Sequence, residues 1–266
     1  MKVTTLASGS SGNAIYIEDQ EEAILIDVGL SGRAIVERLA AIDRDLSRIK
    51  AILVTHEHVD HVKGVGVLSR KLDKPVYATE KTWAAMAKTV GPVADENRRY
   101  IEAGKGIEVG EFQLEVFATS HDAVDSVGYT IHTRHEKLGV LTDTGCINLS
   151  IKDQLAGSDM LICESNHDLD MLKKGPYPWN LKKRILSQKG HLSNISAGHI
   201  LADLCSGTTQ QVVLAHLSQE NNEPDLAYTT VAEIMEKKGC AIGRQVDMAV
   251  APRGGPGPVY DLGSGE

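Results

Sequence analysis

The sequence predicts an α/β fold of four layers, an αββα sandwich in which two β-sheets pack face to face with helices on both outer sides and a site along one edge. Three observations predict it. Each half of the 266-residue chain runs strand-rich first and helix-bearing afterwards. Histidines and carboxylates collect just past predicted strands, between His56 and His61 early in the chain and at His121, Asp143 and His216 further on. Neither half carries a complete set, so residues 1–252 are expected as one domain, with a Gly/Pro-rich tail over 253–266.

Residues 2–6 read as the first strand, followed by the turn ASGSSGN over 7–13. That turn fits an ordinary hairpin corner. It also fits an anion-binding nest, where backbone N–H groups with Ser10, Ser11 and Asn13 converge on a phosphate. Strands over 14–18 and 23–26 come next, the second ending at Asp27, a carboxylate placed to orient metal ligands from behind. Ser31 caps a helix with Ile35, Val36 and Leu39 on one face. The apolar run 51–54 is a buried strand that delivers THEHVDH, residues 55–61. A turn there can aim His56 and His58 at one ion and Asp60 and His61 at a second, and imidazole nitrogen with carboxylate oxygen suits zinc or manganese. A short helix over 67–71, a strand over 75–78, a helix over 80–88 with Trp83 and Met86 in the core, and a solvated charged turn over 96–99 complete this half.

Four strands follow over 106–109, 112–118, 127–133 and 137–141, with His121 past the second and Asp143 past the fourth. The rhythm then alternates. A helix over 150–155 leads to a strand over 159–163 that ends in ESNHD, residues 164–168. Helices over 181–187 and 193–204 are joined by KGHLSN, which carries His191. A strand over 211–214 runs to His216, and a helix over 224–238 and a strand over 245–250 close the sheet.

Composition narrows the classes. Apolar residues make 42% of the chain and aromatics 4%, so Val, Ile, Leu and Ala must fill the core. A net charge of -8 argues against broad adhesion to nucleic acid or anionic membrane, although metal ions and a few lysines can still grip a nucleic-acid substrate locally. Cys146, Cys163, Cys205 and Cys240 form no CxxC pair and read as buried thiols of a reducing compartment. No signal-peptide pattern opens the chain, and no apolar run approaches the roughly 20 residues that span a bilayer. A cytoplasmic, soluble protein without a membrane partner is expected, and no protein partner is readable.

Asp27, HEHVDH over 56–61, His121, Asp143 and His216 resemble the metallo-β-lactamase superfamily in order, residue type and spacing, across nearly the whole chain. LASGSSGN, ESNHD and GHLSN make it similar to the bacterial YycJ (WalJ) family, whose members are regarded as cytoplasmic nucleases acting on double-stranded DNA from the 5′ end. The resemblance implies two divalent ions, zinc or manganese. One would be held by His56, His58 and His121, the other by Asp60, His61 and His216, with Asp143 bridging. Glu164 and His191 resemble the Glu/His pair that phosphodiesterase branches set beside the two metals, and with Asp60 they make the expected catalytic set. Only 21 residues separate His121 from Asp143, too few for the long arm of tRNA-maturing relatives. Only 26 separate Glu164 from His191, too few for a β-CASP cap.

Two adjacent ions can lower the pKa of a shared water and draw charge from a phosphate oxygen. The leaving oxygen then needs a proton, and a carboxylate beside an imidazole favours the imidazolium that can give it. His191 fits that role, and it also fits a residue packed on its turn. His167 reads as a helix-start residue or as a phosphate contact, with Asn166 beside it on a pocket for a terminal phosphate. His132, His135 and His199 are expected to take no part. Lys173, Lys174, Lys182, Lys183 and Arg184 form the densest basic segment and either solvate a face or guide a phosphate backbone. The expected function is 5′-to-3′ exonucleolysis of duplex DNA. The alternatives are a phosphodiesterase for small or cyclic nucleotides and an RNA-processing nuclease. A non-catalytic metal-holding protein would lack ligands, and none is missing.

Overall fold

Short apolar runs without alternation belong to strands covered on both faces, and the chain has two sets of them. The computed structural model describes residues 1–205 and 208–263. In it β1 (Lys2–Ala7), β2 (Ala14–Asp19), β3 (Glu22–Ile26), β4 (Ile49–Leu53), β5 (Val76–Thr79) and β6 (Arg98–Ile101) form one sheet in sequence order. The second sheet holds β7 (Gly106–Val109), β8 (Phe112–Ala118), β9 (Val127–His132), β10 (Lys137–Leu141), β11 (Met160–Glu164), β12 (Gln211–Ala215) and β13 (Asp247–Val250), also in order. Both sheets follow one plan. Neighbours pair antiparallel from β1 to β3 and from β7 to β10, then parallel from β3 to β6 and from β10 to β13.

Parallel pairing requires crossovers, and helices supply most of them. α1 (Gly32–Ala40) links β3 to β4; α2 (Val59–Val62) and α3 (Val65–Leu72) link β4 to β5; α4 (Glu80–Val90) leads towards β6. In the other half α5 (Leu149–Leu155) precedes β11, α6 (Leu169–Lys174), α7 (Trp179–Ile185) and α8 (Asn194–Leu204) precede β12, and α9 (Pro224–Lys237) precedes β13. Ile15, Ile24 and Leu53 of the first sheet meet Phe112, Tyr129 and Ile162 of the second in the central core. Ile35 and Leu39 of α1 and Met86 of α4 cover the first sheet from outside, and Leu201 of α8 and Val231 of α9 cover the second. The expected αββα sandwich is the fold. In such sheets ligand sites gather past the carboxyl ends of the parallel strands. Asp27, the His56 run, Asp143, Glu164 and His216 all stand there.

Three segments differ from the sequence reading. Within residues 96–99, read as a charged turn, Arg98 and Arg99 begin the edge strand β6, where only Ile101 is buried and no apolar alternation could announce it. Residues 169–174, unassigned by sequence, form the six-residue helix α6, with Leu172 buried and Asp168 as its cap, whose side chain accepts from the Asp170 and Met171 amides. Within the expected tail over 253–266, Tyr260 and Asp261 form β14, antiparallel to β1, so this part of it joins the first sheet, and residues 264–266 lie outside the described residues. The four cysteines are free. No helix among the described residues is long and apolar enough to cross a membrane.

Candidate metal centre

The loop after β4 is held in place by backbone pairing before any side chain acts. The Asn13 amide donates to Asp60 O at 2.8 Å, the Gly29 amide to Asn13 O at 2.8 Å and the Val28 amide to His61 O at 2.8 Å. Gly29 is obligatory, since a Cβ there would sit 1.6 Å from Asp60 O. Behind the loop, the buried Asp27 carboxylate accepts from the Thr55 amide and hydroxyl, each at 2.8 Å, and lies 2.7 Å from His61 Nδ1. That contact assigns the His61 proton to Nδ1 and leaves Nε2 facing the centre. The same logic holds for His121, whose Nδ1 lies 3.1 Å from Gly190 O.

The seven residues expected as ligands converge. His56, His58 and His121 bring one ligand atom each within 4.8 Å of one another, and so do Asp60, His61 and His216. Asp143 stands between the sets, with Oδ2 3.2 Å from both His61 Nε2 and His216 Nδ1 and Oδ1 3.7 Å from His121 Nε2. Four of these atoms, His56 Nε2, His121 Nε2, Asp143 Oδ2 and His216 Nδ1, are buried without a hydrogen-bond partner. Buried polar atoms normally find partners, and imidazole and carboxylate donors so arranged fit divalent metal ions.

Burial and neighbouring charge oppose one another at the site. Burial works against the His61 imidazolium, but the Asp143 and Asp27 carboxylates overrule it and hold the pKa well above the usual imidazole value. Burial would raise Asp143, yet His216, His61 and His56 around it keep its carboxyl well below the aspartate range. Burial instead dominates at His56, which stays neutral, and at His121, which is lowered less. The backbone is strained at the same positions. Asp27, Asp143 and His216 adopt φ of 60°, 56° and 54°, a left-handed conformation that side chains other than glycine rarely take.

Glu164, fully buried at the end of β11, places Oε1 2.6 Å from His191 Nδ1. Its Oε2 accepts from the Thr144 amide at 3.2 Å and the Leu192 amide at 3.1 Å. Burial opposes the His191 imidazolium, but the Glu164 charge and hydrogen bond outweigh it and, with Asp143 and Asp122, lift the pKa to about 9. His191 Nδ1 is also 3.7 Å from Asp143 Oδ1, so the pair borders the metal-binding cluster. His167 is buried with neither ring nitrogen partnered, and burial lowers its pKa to about 4. Asn166 is buried too, and its Nδ2 donates to His216 O at 3.0 Å.

The turn over 9–13 divides. Asn13 is buried against the ligands, with Nδ2 3.0 Å from His61 Nε2 and 3.4 Å from Asp60 Oδ2. Ser10 and Ser11 are exposed and line a cavity of about 230 Å³ with Leu217, Gln219 and Arg253, and Asn166 and His167 take no part in that lining. Arg253 donates through Nη2 to Ser218 O at 2.5 Å and Asn222 O at 2.9 Å. Sequence reasoning missed Arg253, and it missed Ser8, whose hydroxyl accepts from the His216 amide at 2.7 Å. It also missed Asp122, 3.2 Å from His121 Nε2 and 2.9 Å from Arg184 Nε. Adjacency to His121 was the one available signal for Asp122. Lys182 leaves the basic face altogether. It is buried and its Nζ donates to Lys173 O at 2.8 Å and Gly175 O at 2.7 Å.

A model of the beta-lactamase superfamily domain matches residues 22–217. The chain is 40% identical over 245 residues to exodeoxyribonuclease YycJ of Bacillus anthracis, covering 92% of this chain and 93% of that protein. It is 40% identical over 244 residues to exodeoxyribonuclease WalJ of Streptococcus pneumoniae strain D39, covering 91% of each. Zinc-bound PqqB of Methylobacterium extorquens superposes with a TM-score of 0.72 over 98% of this chain and 100% of that one, and at 18% identity it shares the fold.

Proposed function

The chain belongs to the metallo-β-lactamase superfamily, and from that premise we propose that it is a dimetal phosphodiesterase that degrades duplex DNA from the 5′ end in the cytoplasm. What carries the reading is the pair of ligand sets that share Asp143, with buried unpartnered donor atoms, directly beside the His191–Glu164 pair. Two relatives named exodeoxyribonucleases, each matched over nine-tenths of this chain, support DNA as the substrate. His56, His58 and His121 would hold one ion, and Asp60, His61 and His216 the other, zinc or manganese, with Asp143 between them. Bound there, the ions supply Lewis-acid charge for a phosphate oxygen and lower the pKa of the attacking water.

The chain's own residues do the rest. Asp27 fixes the His61 tautomer, and the Gly190 carbonyl fixes that of His121. His191, kept protonated by Glu164, gives its proton to the leaving 3′ oxygen. Asn13 steadies the ligand loop, and Asn166 does the same for the strand end at His216. His167, with free buried ring nitrogens, is placed for a neighbouring phosphate. Ser10 and Ser11, across a cavity from Arg253, suit a terminal 5′-phosphate, which accepts stronger charge-assisted hydrogen bonds than a diester.

Metal-loaded protein should be offered end-labelled duplex DNA with 5′-phosphate or 5′-hydroxyl ends, single-stranded DNA, RNA and bis-p-nitrophenyl phosphate. Stepwise loss of duplex from the 5′ end, faster with a phosphate, is the expected result. Turnover of the p-nitrophenyl ester alone would favour the small-phosphodiester reading, which the net charge of -8 also suits. His191→Ala should keep its metals and lose DNA hydrolysis far more than hydrolysis of the p-nitrophenyl ester, whose leaving group needs little protonation. Equal losses on both substrates would remove the general-acid role.

A further inference from the structure

Residues 171–190 hold six of the 28 lysines and arginines and none of the 36 aspartates and glutamates, in a chain whose net charge is -8. The segment joins the strand that ends at Glu164 to the turn that carries His191. At its centre lies GPYPWN, over 175–180. Two prolines fix their own φ and restrict the residues before them, so the aromatic side chains project from a stiff strap. Trp179 opens α7 and is 60% exposed, the most exposed aromatic but one among the described residues. Core packing therefore does not account for it. Lys183 Nζ lies 5.8 Å from its ring centroid, and most of the ring faces solvent.

The strap is fastened to the metal-binding edge at several points. Arg184 Nε lies 2.9 Å from Asp122 Oδ2, beside His121. The Ser120 hydroxyl donates to Gln188 O at 2.8 Å, and the His191 amide donates to Ile185 O at 3.0 Å. Lys182 turns inward and ties α7 to the end of α6. The result is a rigid arm with a bare indole and exposed Lys173, Lys174 and Lys183, held against the catalytic edge.

We infer that Trp179 is a stacking platform for a nucleobase at the end of the DNA strand being degraded, with Lys173, Lys174 and Lys183 pairing to the flanking phosphates. Aromatic stacking and a basic track are the two means by which proteins hold nucleic acid without reading sequence, and the arm supplies both. This assignment rests on the proposed DNA substrate and names a residue that grips it outside the metal cluster.

Binding and cleavage are measured separately. Trp83 is 8% exposed, so quenching of tryptophan emission by a phosphorothioate-protected duplex, added to metal-loaded protein, reports on Trp179. The expected outcome is quenching by DNA, and a rise in KM for duplex degradation of roughly 5- to 150-fold in Trp179→Ala, the loss of one stacked base. Trp179→Phe should restore most of the affinity. The p-nitrophenyl ester should turn over at the normal rate in both variants. Lys173→Ala with Lys183→Ala should flatten the salt dependence of binding by about 0.7–0.9 in log-log slope per lost phosphate contact. Quenching without duplex cleavage would retain the platform and remove the nuclease reading. Duplex cleavage with KM and quenching untouched by Trp179→Ala would overturn the platform. So would an equal fall on the small ester, which marks a structural role, or a Trp179-dependent self-association that leaves DNA binding unchanged.

Discussion

Replacing Asp27 with asparagine should cost the protein its metal without costing it its fold. Asparagine is nearly isosteric and tolerates the left-handed backbone at this position, φ 60°. The difference lies in the hydrogen-bond inventory. Asp27 Oδ1 accepts from the Thr55 amide, and Oδ2 stands 2.8 Å from the Thr55 hydroxyl and 2.7 Å from His61 Nδ1. An amide has one acceptor where the carboxylate has two. If its oxygen stays on the Thr55 amide, its NH2 faces His61 Nδ1, which must then accept, and the imidazole proton moves to Nε2. That is the atom 3.2 Å from Asp143 Oδ2, where a ligand lone pair is needed. If the amide flips, its NH2 meets the Thr55 N–H and leaves a buried donor unpaired, at about 1–3 kcal/mol. Groups that orient a metal-binding histidine typically contribute 10- to 100-fold in metal affinity, or about 1.4–2.7 kcal/mol. Asp27→Asn should therefore weaken the ion proposed for Asp60, His61 and His216 by that factor. The His56, His58 and His121 set should suffer less. Chelator competition followed by elemental analysis, with circular dichroism as the check on folding, measures it. A folded Asp27→Asn protein that holds two ions as tightly as the unmodified chain would refute the argument.

Asp143→Ala should lower the content of both ions, since its carboxylate lies between both ligand sets, and elemental analysis that still finds two ions would remove it from the bridging position. Metal affinity should rise with pH through the neutral range. In the metal-free state the two carboxylates beside His61 hold its proton above the usual imidazole value, and coordination must displace it. Calorimetry in buffers of different ionisation enthalpy should record proton release, and none at neutral pH would contradict the His61 assignment. Gly29→Ala should destabilise the protein by about 3 kcal/mol through overpacking and empty the metal centre, because the added Cβ meets Asp60 O at 1.6 Å. A urea midpoint equal to that of the parent protein would show that the loop can yield.

Local signals were readable, and contacts made across the chain were not. The apolar run 51–54 and the histidines behind it announce themselves, because a buried strand followed by HxHxDH needs only a few neighbouring residues to be recognised. Strand ends at Asp143 and His216 follow from the same alternation of apolar runs and turns. β6 escaped because Arg99 and Tyr100 are exposed on an edge strand and only Ile101 is buried, and a charged edge has the pattern of a turn. Asn13 looked like part of a phosphate nest, but the fold brings it 3.0 Å from a histidine 48 positions away. Lys182 belonged by sequence to a basic cluster, yet its Nζ is spent on two carbonyls inside the arm. Charge runs report composition and leave side-chain direction open.

The left-handed backbones at Asp27, Asp143 and His216 bear on how this protein can change over time. L-residues give up about 1–2 kcal/mol in that conformation, with aspartate near the lower end, and glycine gives up almost nothing. Glycine at any of the three would relax the chain while removing a carboxylate or an imidazole from the centre. Mutational drift under demand for a sturdy fold alone would thus move towards catalytic silence. A library selected only for heat resistance, in the presence of a chelator, should become enriched in glycine or asparagine at positions 143 and 216, whereas position 27 is held by the buried Thr55 amide and hydroxyl, from which its carboxylate accepts. Inactive descendants of such a protein would be expected to outlast their active parent in the test tube.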